Sequence, residues 1–200
     1  MLLLKKMMVS TCDYEYTTGM AEYKTTTTVE NSSSFLGEMY QGNESVKTDE
    51  SGKYQPMEIA AWFLAKETMT HLKLQKLCYY AQAWFFTLKK IRLMDTEFQA
   101  WIHGPVSPEL YEKFKCFGFS GIKLSNEYIC EIQEEDLELL ESVWETYGDR
   151  TGNALEALTH TERPWIEART GYQPDERCEV VISLQSMCDY YSSIYIGGEA

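Results

Sequence analysis

The chain has 200 residues, of which 44% are hydrophobic and 14% aromatic, enough for one domain with a substantial core. Its apolar runs are shorter than the roughly 18–20 residues of a membrane span, which argues against an integral membrane protein. Residues 126–200 carry 17 acidic and 4 basic side chains, for a net charge of −13, and this acidity disfavours nucleic-acid binding because phosphates are repelled.

Residues 1–55 differ in composition from the rest of the chain. They contain the polar tracts Thr25–Thr28 and Ser32–Ser34 and show no sustained helical or strand period. We therefore predict a flexible, low-complexity N-terminal extension. An alternative hypothesis is that translation begins at Met57, which would make the extension a start-site error.

The N terminus and the cysteines indicate a cytoplasmic protein. The apolar run Leu2–Leu4 is much shorter than the 7–15 residues of a signal-peptide core. The six cysteines include no C-x-x-C pair, so we predict reduced thiols and no structural zinc site. We expect no metal and no other cofactor.

Two helices are predicted between residues 56 and 90. The first is short and carries Ile59, Trp62 and Phe63. Thr70 caps the second, in which apolar residues recur at steps of three and four. That spacing predicts a buried stripe formed by Leu74, Leu77, Cys78, Ala81, Phe85 and Leu88. The same spacing places the polar residues outside the stripe, namely Lys73, Lys76 and Gln82. Tyr79, Tyr80 and Trp84 widen the apolar arc, which indicates core packing on more than one side rather than stacking on bases.

The stretch AWIHGPVSPELYEKFK, residues 100–115, combines a rigid turn with a short helix. Ser107 is a suitable N-cap and Pro108 a suitable first helical residue. Val106 and Tyr111 are spaced for a hydrophobic staple. The buried face of this helix is predicted to contain Leu110, Tyr111 and Phe114.

The remaining helices are predicted from periodicity and caps. The acidic block Glu131–Glu138 opens a helix that Gly148 ends. Its predicted buried stripe contains Leu137, Leu140, Val143, Trp144 and Tyr147. A helix over Ala154–Leu158 follows, then a turn or short helix at Pro164. Cys178–Ile182 is predicted to form a brief strand, and Ser183 caps a last helix, Leu184–Tyr191.

These elements predict a mainly α fold. We expect a compact helical domain over residues 56–192, with at most a small β-hairpin or short strands, and a flexible C-terminal tail at residues 193–200.

Three histidines, His71, His103 and His160, are the candidates for acid–base or metal chemistry. The sequence has no H-E-x-x-H, G-x-S-x-G, P-loop or G-x-G-x-x-G motif. His103, beside a Gly-Pro turn, could act as a general base, but a hydrogen-bonded structural histidine is the favoured interpretation. We predict no catalytic residues.

Arginine and tryptophan residues near the turns leave alternatives open. Arg163 or Arg169 could bind a phosphate or carboxylate, although ion pairs with Glu162, Glu167 or the acidic helix are favoured. Trp101 and Trp165 each flank a proline turn. Either one could be an interface anchor or part of the core.

Three motifs carry a resemblance to a known family. LKLQKLCYYAQAW (Leu72–Trp84), AWIHGPVSPELYEKFK (Ala100–Lys115) and LTHTERPWIEAR (Leu158–Arg169) occur in the order and spacing of the Panacea antitoxin domain. That family includes SocA-type antitoxins and related phage-associated, GepA-like proteins. The resemblance spans Met57 to Tyr191, and Cys78 stands where a second Leu is common.

The resemblance implies a helical domain without known catalysis that binds and neutralises a toxin encoded by an adjacent gene. An alternative is a proteolytic adaptor that delivers the toxin to a Clp-type protease, as for SocA. A hydrolase or metal enzyme that uses His103 and His160 is less favoured. The turn Gly104–Val106 is expected to be scaffold, with toxin contacts on exposed, variable surface. The candidate motif or interface residues are Trp101, His103, Gly104, Pro105, Val106, Tyr111, His160, Pro164, Trp165 and Arg169.

Overall fold

A computed structural model describes residues 51–123 and 131–195. Within them the helices are α1 (Pro56–Lys66), α2 (His71–Lys89), α3 (Pro108–Phe114), α4 (Glu134–Tyr147), α5 (Gly152–Thr159), α6 (Arg163–Ala168) and α7 (Leu184–Ile194), with a 3₁₀ turn at Lys115–Phe117. The strands are β1 (Gln99–Trp101) and β2 (Gly104–Val106). The prediction of a mainly α fold with a small hairpin is confirmed. The predicted extension and tail lie largely outside the described residues, and the domain division stays a prediction.

Helix α2 is the centre of the fold. It begins after Thr70, whose side chain accepts a hydrogen bond from the Lys73 N–H, as predicted. Of its 19 residues 15 are buried, because α1, α3, α4, α5, α7 and β2 all pack against it. Its aromatic residues therefore form core, as their helical spacing indicated.

The polar residues of α2 are a correction to the predicted pattern. Lys73, Lys76 and Gln82 were expected outside the core, and all three are buried. Tertiary acceptors make this burial tolerable: Lys76 Nζ donates to the Pro105 carbonyl at 3.0 Å, and Lys73 Nζ donates to the Gly148 carbonyl at 2.5 Å. Buried polar groups are stable only with such partners.

The β-hairpin is formed by β1 and β2, which pair antiparallel with Trp101 opposite Gly104. The predicted strand Cys178–Ile182 is wrong, since only an isolated bridge joins Val181 to Gln99. Two backbone hydrogen bonds flank that bridge, at 2.8 and 2.9 Å. Val181 is 39% exposed, so the β-branched cluster borders β1 without forming a buried strand.

Helix α3 begins as predicted. The Ser107 side chain accepts from the Leu110 N–H, and Pro108 is the first residue. Gln75 on α2 fixes the cap, because its Oε1 accepts from the Ser107 N–H at 2.8 Å and its Nε2 donates to the Ser107 carbonyl at 3.2 Å. Tyr111 is half-buried, so its predicted burial is only partial.

Helix α4 begins at Glu134, three residues after the start of the predicted block, and its capping residue Gly148 donates to the Trp144 carbonyl. Its buried face differs from the predicted stripe. Leu139 is buried where Leu137 was expected, and Leu137 is half-buried. The reason is Asp136, a buried carboxylate that the apolar pattern could not include.

Asp136 is the acceptor of a buried hydrogen-bond cluster. It accepts from the Tyr54 hydroxyl at 2.6 Å, from Lys53 Nζ at 2.6 Å and from Lys89 Nζ at 2.5 Å. Burial acts to raise the pKa of Asp136, but hydrogen bonds from Lys53, Lys89 and Tyr54 bring that pKa below its usual value. This cluster joins residues 53–54 and the end of α2 to the start of α4.

We expect Asp136→Asn to lower the free energy of unfolding by about 3 kcal/mol, because two lysines lose their carboxylate at a buried position. Urea unfolding at pH 7 measures the loss. Because the folded pKa is depressed, the wild-type advantage should disappear as the pH falls below about 4. The exposed substitution Asp149→Asn is the control, and an equal effect of both changes would contradict the prediction.

Candidate functional site

The hairpin brings two of the motif segments together on one surface. We define the hairpin face as Trp101, His103, Tyr111, His160 and Trp165. The rings of Trp101 and Tyr111 pack edge to face with centroids 4.8 Å apart. Trp165 Nε1 donates to the Trp101 carbonyl at 3.0 Å, which ties α6 to β1.

Both tryptophans of the hairpin face are half-buried, so neither is a core residue and neither is fully exposed. Trp101 Nε1 donates to Gln99 Oε1 at 2.8 Å. Their polar edges are satisfied within the fold, and part of each ring remains accessible. The arrangement provides rigid aromatic surface, and large aromatic side chains dominate binding hot spots.

The histidines of the hairpin face have different surroundings. The side chain of His103 is 75% exposed, and its Nδ1 lies 2.8 Å from Glu156 Oε1. His160 stacks on Trp165 with ring centroids 4.1 Å apart. Burial lowers the pKa of His160, although the carboxylate of Glu156 and a hydrogen bond to the Ile102 backbone act to raise it. His160 is therefore a neutral, packed ring at pH 7, while His103 is a surface group held by a carboxylate.

His71 borders the same surface from the start of α2. Its ring meets that of Tyr111 at 5.8 Å. Burial and the nearby Lys76 lower the pKa of His71. In residues 51–123 and 131–195, no group of three His, Cys, Asp or Glu side chains is arranged to hold a metal ion.

Beneath the turn lies Lys76, whose side chain is fully buried. Burial lowers its pKa to about 7, and the Glu156 carboxylate acts in the opposite direction. Gly104 has φ +88°, and a Cβ there would lie 2.7 Å from Lys76 Cε and from Thr159 Oγ1. Gly104, Pro105 and Lys76 thus fit together as scaffold.

Gly104→Ala should lower the free energy of unfolding by about 3 kcal/mol, because the new methyl meets both positive φ and a crowded site. Gly171→Ala is a matched control, since Gly171 has φ +91° but a Cβ added there would meet no heavy atom within 4 Å. Gly171→Ala should lower the free energy of unfolding by only about 1 kcal/mol. Thermal unfolding of both variants measures the difference, and equal losses would show that crowding at residue 104 is unimportant.

Arg169 donates to backbone carbonyls and does not form the ion pair that the sequence favoured. Its guanidinium donates to the carbonyls of Ala100 at 2.9 Å, Gln173 at 2.9 Å and Glu176 at 2.8 Å. It also lies over the Trp165 ring, at 5.1 Å. With these donors occupied, Arg169 fixes the chain after α6 and forms no ion pair with a carboxylate of the described residues.

Arg163 follows the favoured prediction, with its Nε 3.4 Å from Glu167 Oε1. Pro164 is buried at the start of α6. The carboxyl group of Glu162 does not join this ion pair but points into the core. There it accepts from the Tyr80 hydroxyl at 3.2 Å and the Tyr191 hydroxyl at 2.8 Å.

Sequence reasoning missed this buried carboxyl group. Glu162 is 2% exposed, and burial raises its pKa to about 8 despite the two tyrosine hydroxyls. Tyr80 in turn stacks on Tyr147 at 3.9 Å. A single Glu between Thr and Arg gives no apolar pattern, so the sequence offered no signal of its burial.

Residues 74–166 match the family model described as Antitoxin SocA-like, Panacea domain. The matched range contains the whole hairpin face and excludes Arg169. Comparisons with curated proteins and with solved structures give no significant match. Within the described part of the chain, no helix combines the length and apolar character needed to span a membrane.

Proposed function

Since residues 74–166 form a Panacea domain of the SocA-like antitoxins, we propose that this protein neutralises a cognate toxin by direct protein–protein binding in the cytoplasm. The family match is the observation that carries the proposal. The toxin is expected to be the product of an adjacent gene. The protein acts by masking the toxin, without a catalytic step of its own.

We assign the toxin contact to the hairpin face. This departs from the expectation that motif residues serve only as scaffold. Trp101, Tyr111 and Trp165 supply half-buried aromatic surface that the fold already holds rigid, so little side-chain entropy is lost on binding. His103 and Glu156 add an exposed polar pair at the rim. A central aromatic patch with a polar rim is the usual anatomy of an interface.

The test is growth rescue. The adjacent gene is induced alone and together with the full-length protein, and wild-type protein should restore growth and co-purify with the toxin. Tyr111→Ala should weaken binding by at least about tenfold, as for a hot-spot aromatic. Tyr172→Ala is the matched control, since Tyr172 is a 38% exposed tyrosine outside the hairpin face. Circular dichroism and thermal unfolding of each variant establish that it is folded.

Each outcome bears on a separate claim. Toxicity that wild-type protein does not relieve would refute the antitoxin assignment. Rescue by wild type and equally by a folded Tyr111→Ala variant would place the contact elsewhere. A truncation beginning at Ser51 tests the extension while retaining Lys53 and Tyr54, which hold Asp136. Relief by both lengths would locate neutralisation within residues 51–200.

Masking and proteolytic delivery differ in the lifetime of the toxin. With masking, the toxin should persist in the complex at equal levels in cells with and without the Clp-type protease. With delivery, the toxin should disappear only where that protease is present. A chase after translation is stopped, followed by immunoblotting of the toxin, separates the two mechanisms.

A further inference from the structure

An amine and a thiol meet where the end of α2 faces α7. Lys90 is the C-capping residue of α2, and its Nζ lies 2.7 Å from Cys188 Sγ on α7. The two residues are 98 positions apart in the chain. The pair lies outside the hairpin face, and the antitoxin assignment gives it no role.

The separation of the amine and the thiol is short for a contact with sulfur. A sulfur atom is larger than an oxygen atom, yet 2.7 Å is at the lower limit of an ordinary N–H···O hydrogen bond. Cys178 Sγ lies 3.8 Å from the Ala168 carbonyl, and Cys188 Sγ lies 3.9 Å from Ser192 Oγ. The Lys90 amine is therefore much closer to sulfur than the partners in these ordinary contacts.

The fold holds both groups in place. Lys90 has φ 57°, the only positive φ of a non-glycine residue in the described ranges, and its N–H donates to the Phe86 carbonyl at 2.9 Å. Cys188 is 7% exposed on α7, the helix that packs most extensively on α2. Lys90 is exposed, so a small oxidant can approach the contact from solvent. Among residues 51–123 and 131–195, Lys90 forms no ion pair that would draw its amine away from sulfur.

We propose that Lys90 and Cys188 form a covalent bridge through one oxygen atom when the protein is exposed to dioxygen. In the product, Nζ and Sγ are bonded to the same oxygen, as Lys–NH–O–S–Cys. One bridging oxygen fits the observed separation, whereas a direct S–N bond would require the two atoms to approach much further. The pair is thus a modification site whose co-reactant is dioxygen.

The reaction balances with one molecule of dioxygen for each bridge. The ammonium first loses a proton to water, which leaves Lys–NH₂ beside Cys–SH. One N–H bond, the S–H bond and the O–O bond then break. An N–O bond and an O–S bond form, and the second oxygen leaves as water with the two hydrogens. Sulfur and nitrogen each lose two electrons, and dioxygen accepts all four; sulfur reaches the oxidation level of a sulfenic acid.

The bridge ties α7 to the end of α2. It closes a loop across the 98 positions between the two residues. A cross-link of this length restricts the unfolded chain and so stabilises the folded state, as a disulfide does. Oxidation should therefore resist the separation of α7 from α2.

Peptide mapping of the full-length protein tests the bridge. One sample is purified and kept without dioxygen, and a second is exposed to air before digestion with trypsin. Only the exposed sample should contain Lys90–Arg92 joined to the peptide that begins at Cys178 and contains Cys188. The joined mass should exceed the sum of the two peptides by about 14 Da, for one oxygen gained and two hydrogens lost. Exposure to ¹⁸O₂ in place of air should add about 2 Da more.

Two variants assign the bridge to its residues. Lys90→Arg and Cys188→Ser should each abolish the joined peptide. Cys178→Ser is the matched control and should keep it, because Cys178 is also buried and lies on the same tryptic peptide but contacts the Ala168 carbonyl instead of an amine. Exposure to air should raise the midpoint of thermal unfolding of wild type by at least about 5 °C and leave that of Lys90→Arg unchanged.

The outcomes separate the bridge from an ordinary contact. Recovery of both peptides unmodified from the air-exposed wild type would show a hydrogen bond alone and overturn the proposal. A joined peptide about 2 Da lighter than the sum would show a direct S–N bond and would overturn it as well. A joined peptide that persists in Lys90→Arg, whose exposed side chain makes misfolding no explanation, would refute the named pair.

Discussion

Glu162→Gln is expected to stabilise the protein at pH 8 by up to about 4 kcal/mol and to change its stability little at pH 5. In wild type, burial raises the pKa of Glu162 from 4.5 to about 8. The folded state therefore holds a proton that the unfolded state releases above pH 4.5, and stability contributed by this group falls as the pH rises toward 8. Glutamine has the same shape and no charge to bury.

Urea unfolding at pH 5, 6.5 and 8 measures this effect. The difference between variant and wild type isolates Glu162, because His71 and His160 contribute to both proteins alike. Glu145→Gln, which removes an exposed carboxyl on α4, is the control and should leave the wild-type slope unchanged. Parallel pH profiles for Glu162→Gln and wild type would show that the buried carboxyl does not hold its proton.

Lys76→Met is expected to stabilise the protein at pH 6 by about 2 kcal/mol. Burial lowers the pKa of Lys76 from 10.5 to about 7, so a charged lysine costs on the order of 5 kcal/mol below that pH. Part of the gain is lost because the buried Pro105 carbonyl loses its donor, a penalty of about 1–3 kcal/mol.

The pH dependence has the opposite sign to that of Glu162. A lysine with a depressed pKa is neutral in the folded state and charged in the unfolded state between pH 7 and 10.5, so wild-type stability from this group rises over that range. The advantage of Lys76→Met should therefore vanish or reverse by pH 9. Lys113→Met, at an exposed position on α3, is the control. An advantage that stays constant from pH 6 to pH 9 would contradict the depressed pKa.

Together the two groups predict an unusual stability profile. As the pH rises, the loss of stability due to Glu162 is complete near pH 8, and the gain of stability due to Lys76 begins near pH 7. Their contributions add to a minimum between these values. A double variant should show a flatter profile than wild type over pH 5–9.

The ends of the helices were predictable because caps act locally. Thr70, Ser107 and Ser183 each accept from an N–H three residues onward, which the sequence alone indicates. Gly148 likewise ends α4 at the position that the sequence indicated. These boundaries depend on neighbours within one helical turn, so no knowledge of the tertiary structure was needed to place them.

The buried polar residues were not predictable, because their partners are distant in the chain. The apolar spacing places Lys76 outside the buried stripe of α2, and lysine side chains are rarely buried. Its acceptor, the Pro105 carbonyl, is 29 residues away. Asp136 likewise meets Tyr54 across 82 residues. Apolar spacing identified most of α4, yet it could not identify a carboxylate as part of the buried face.

The candidate residues were found by motif, and the structure separated their roles. Trp101, Tyr111 and Trp165 meet in space although the third is far from the other two in the chain. Arg169 was expected to form an ion pair and instead donates to backbone carbonyls. No motif indicated the contact of Lys90 with Cys188, because the two residues are 98 positions apart.

The burial of α2 on every side has a consequence for synthesis on the ribosome. Its most extensive packing partner is α7, which begins roughly a hundred residues later. At a synthesis rate of about 5–20 residues per second, about 5–20 s pass between the synthesis of α2 and that of α7. During this interval the aromatic residues of α2 are incompletely buried. The nascent chain therefore exposes to chaperones and proteases an apolar segment that is buried in the folded protein.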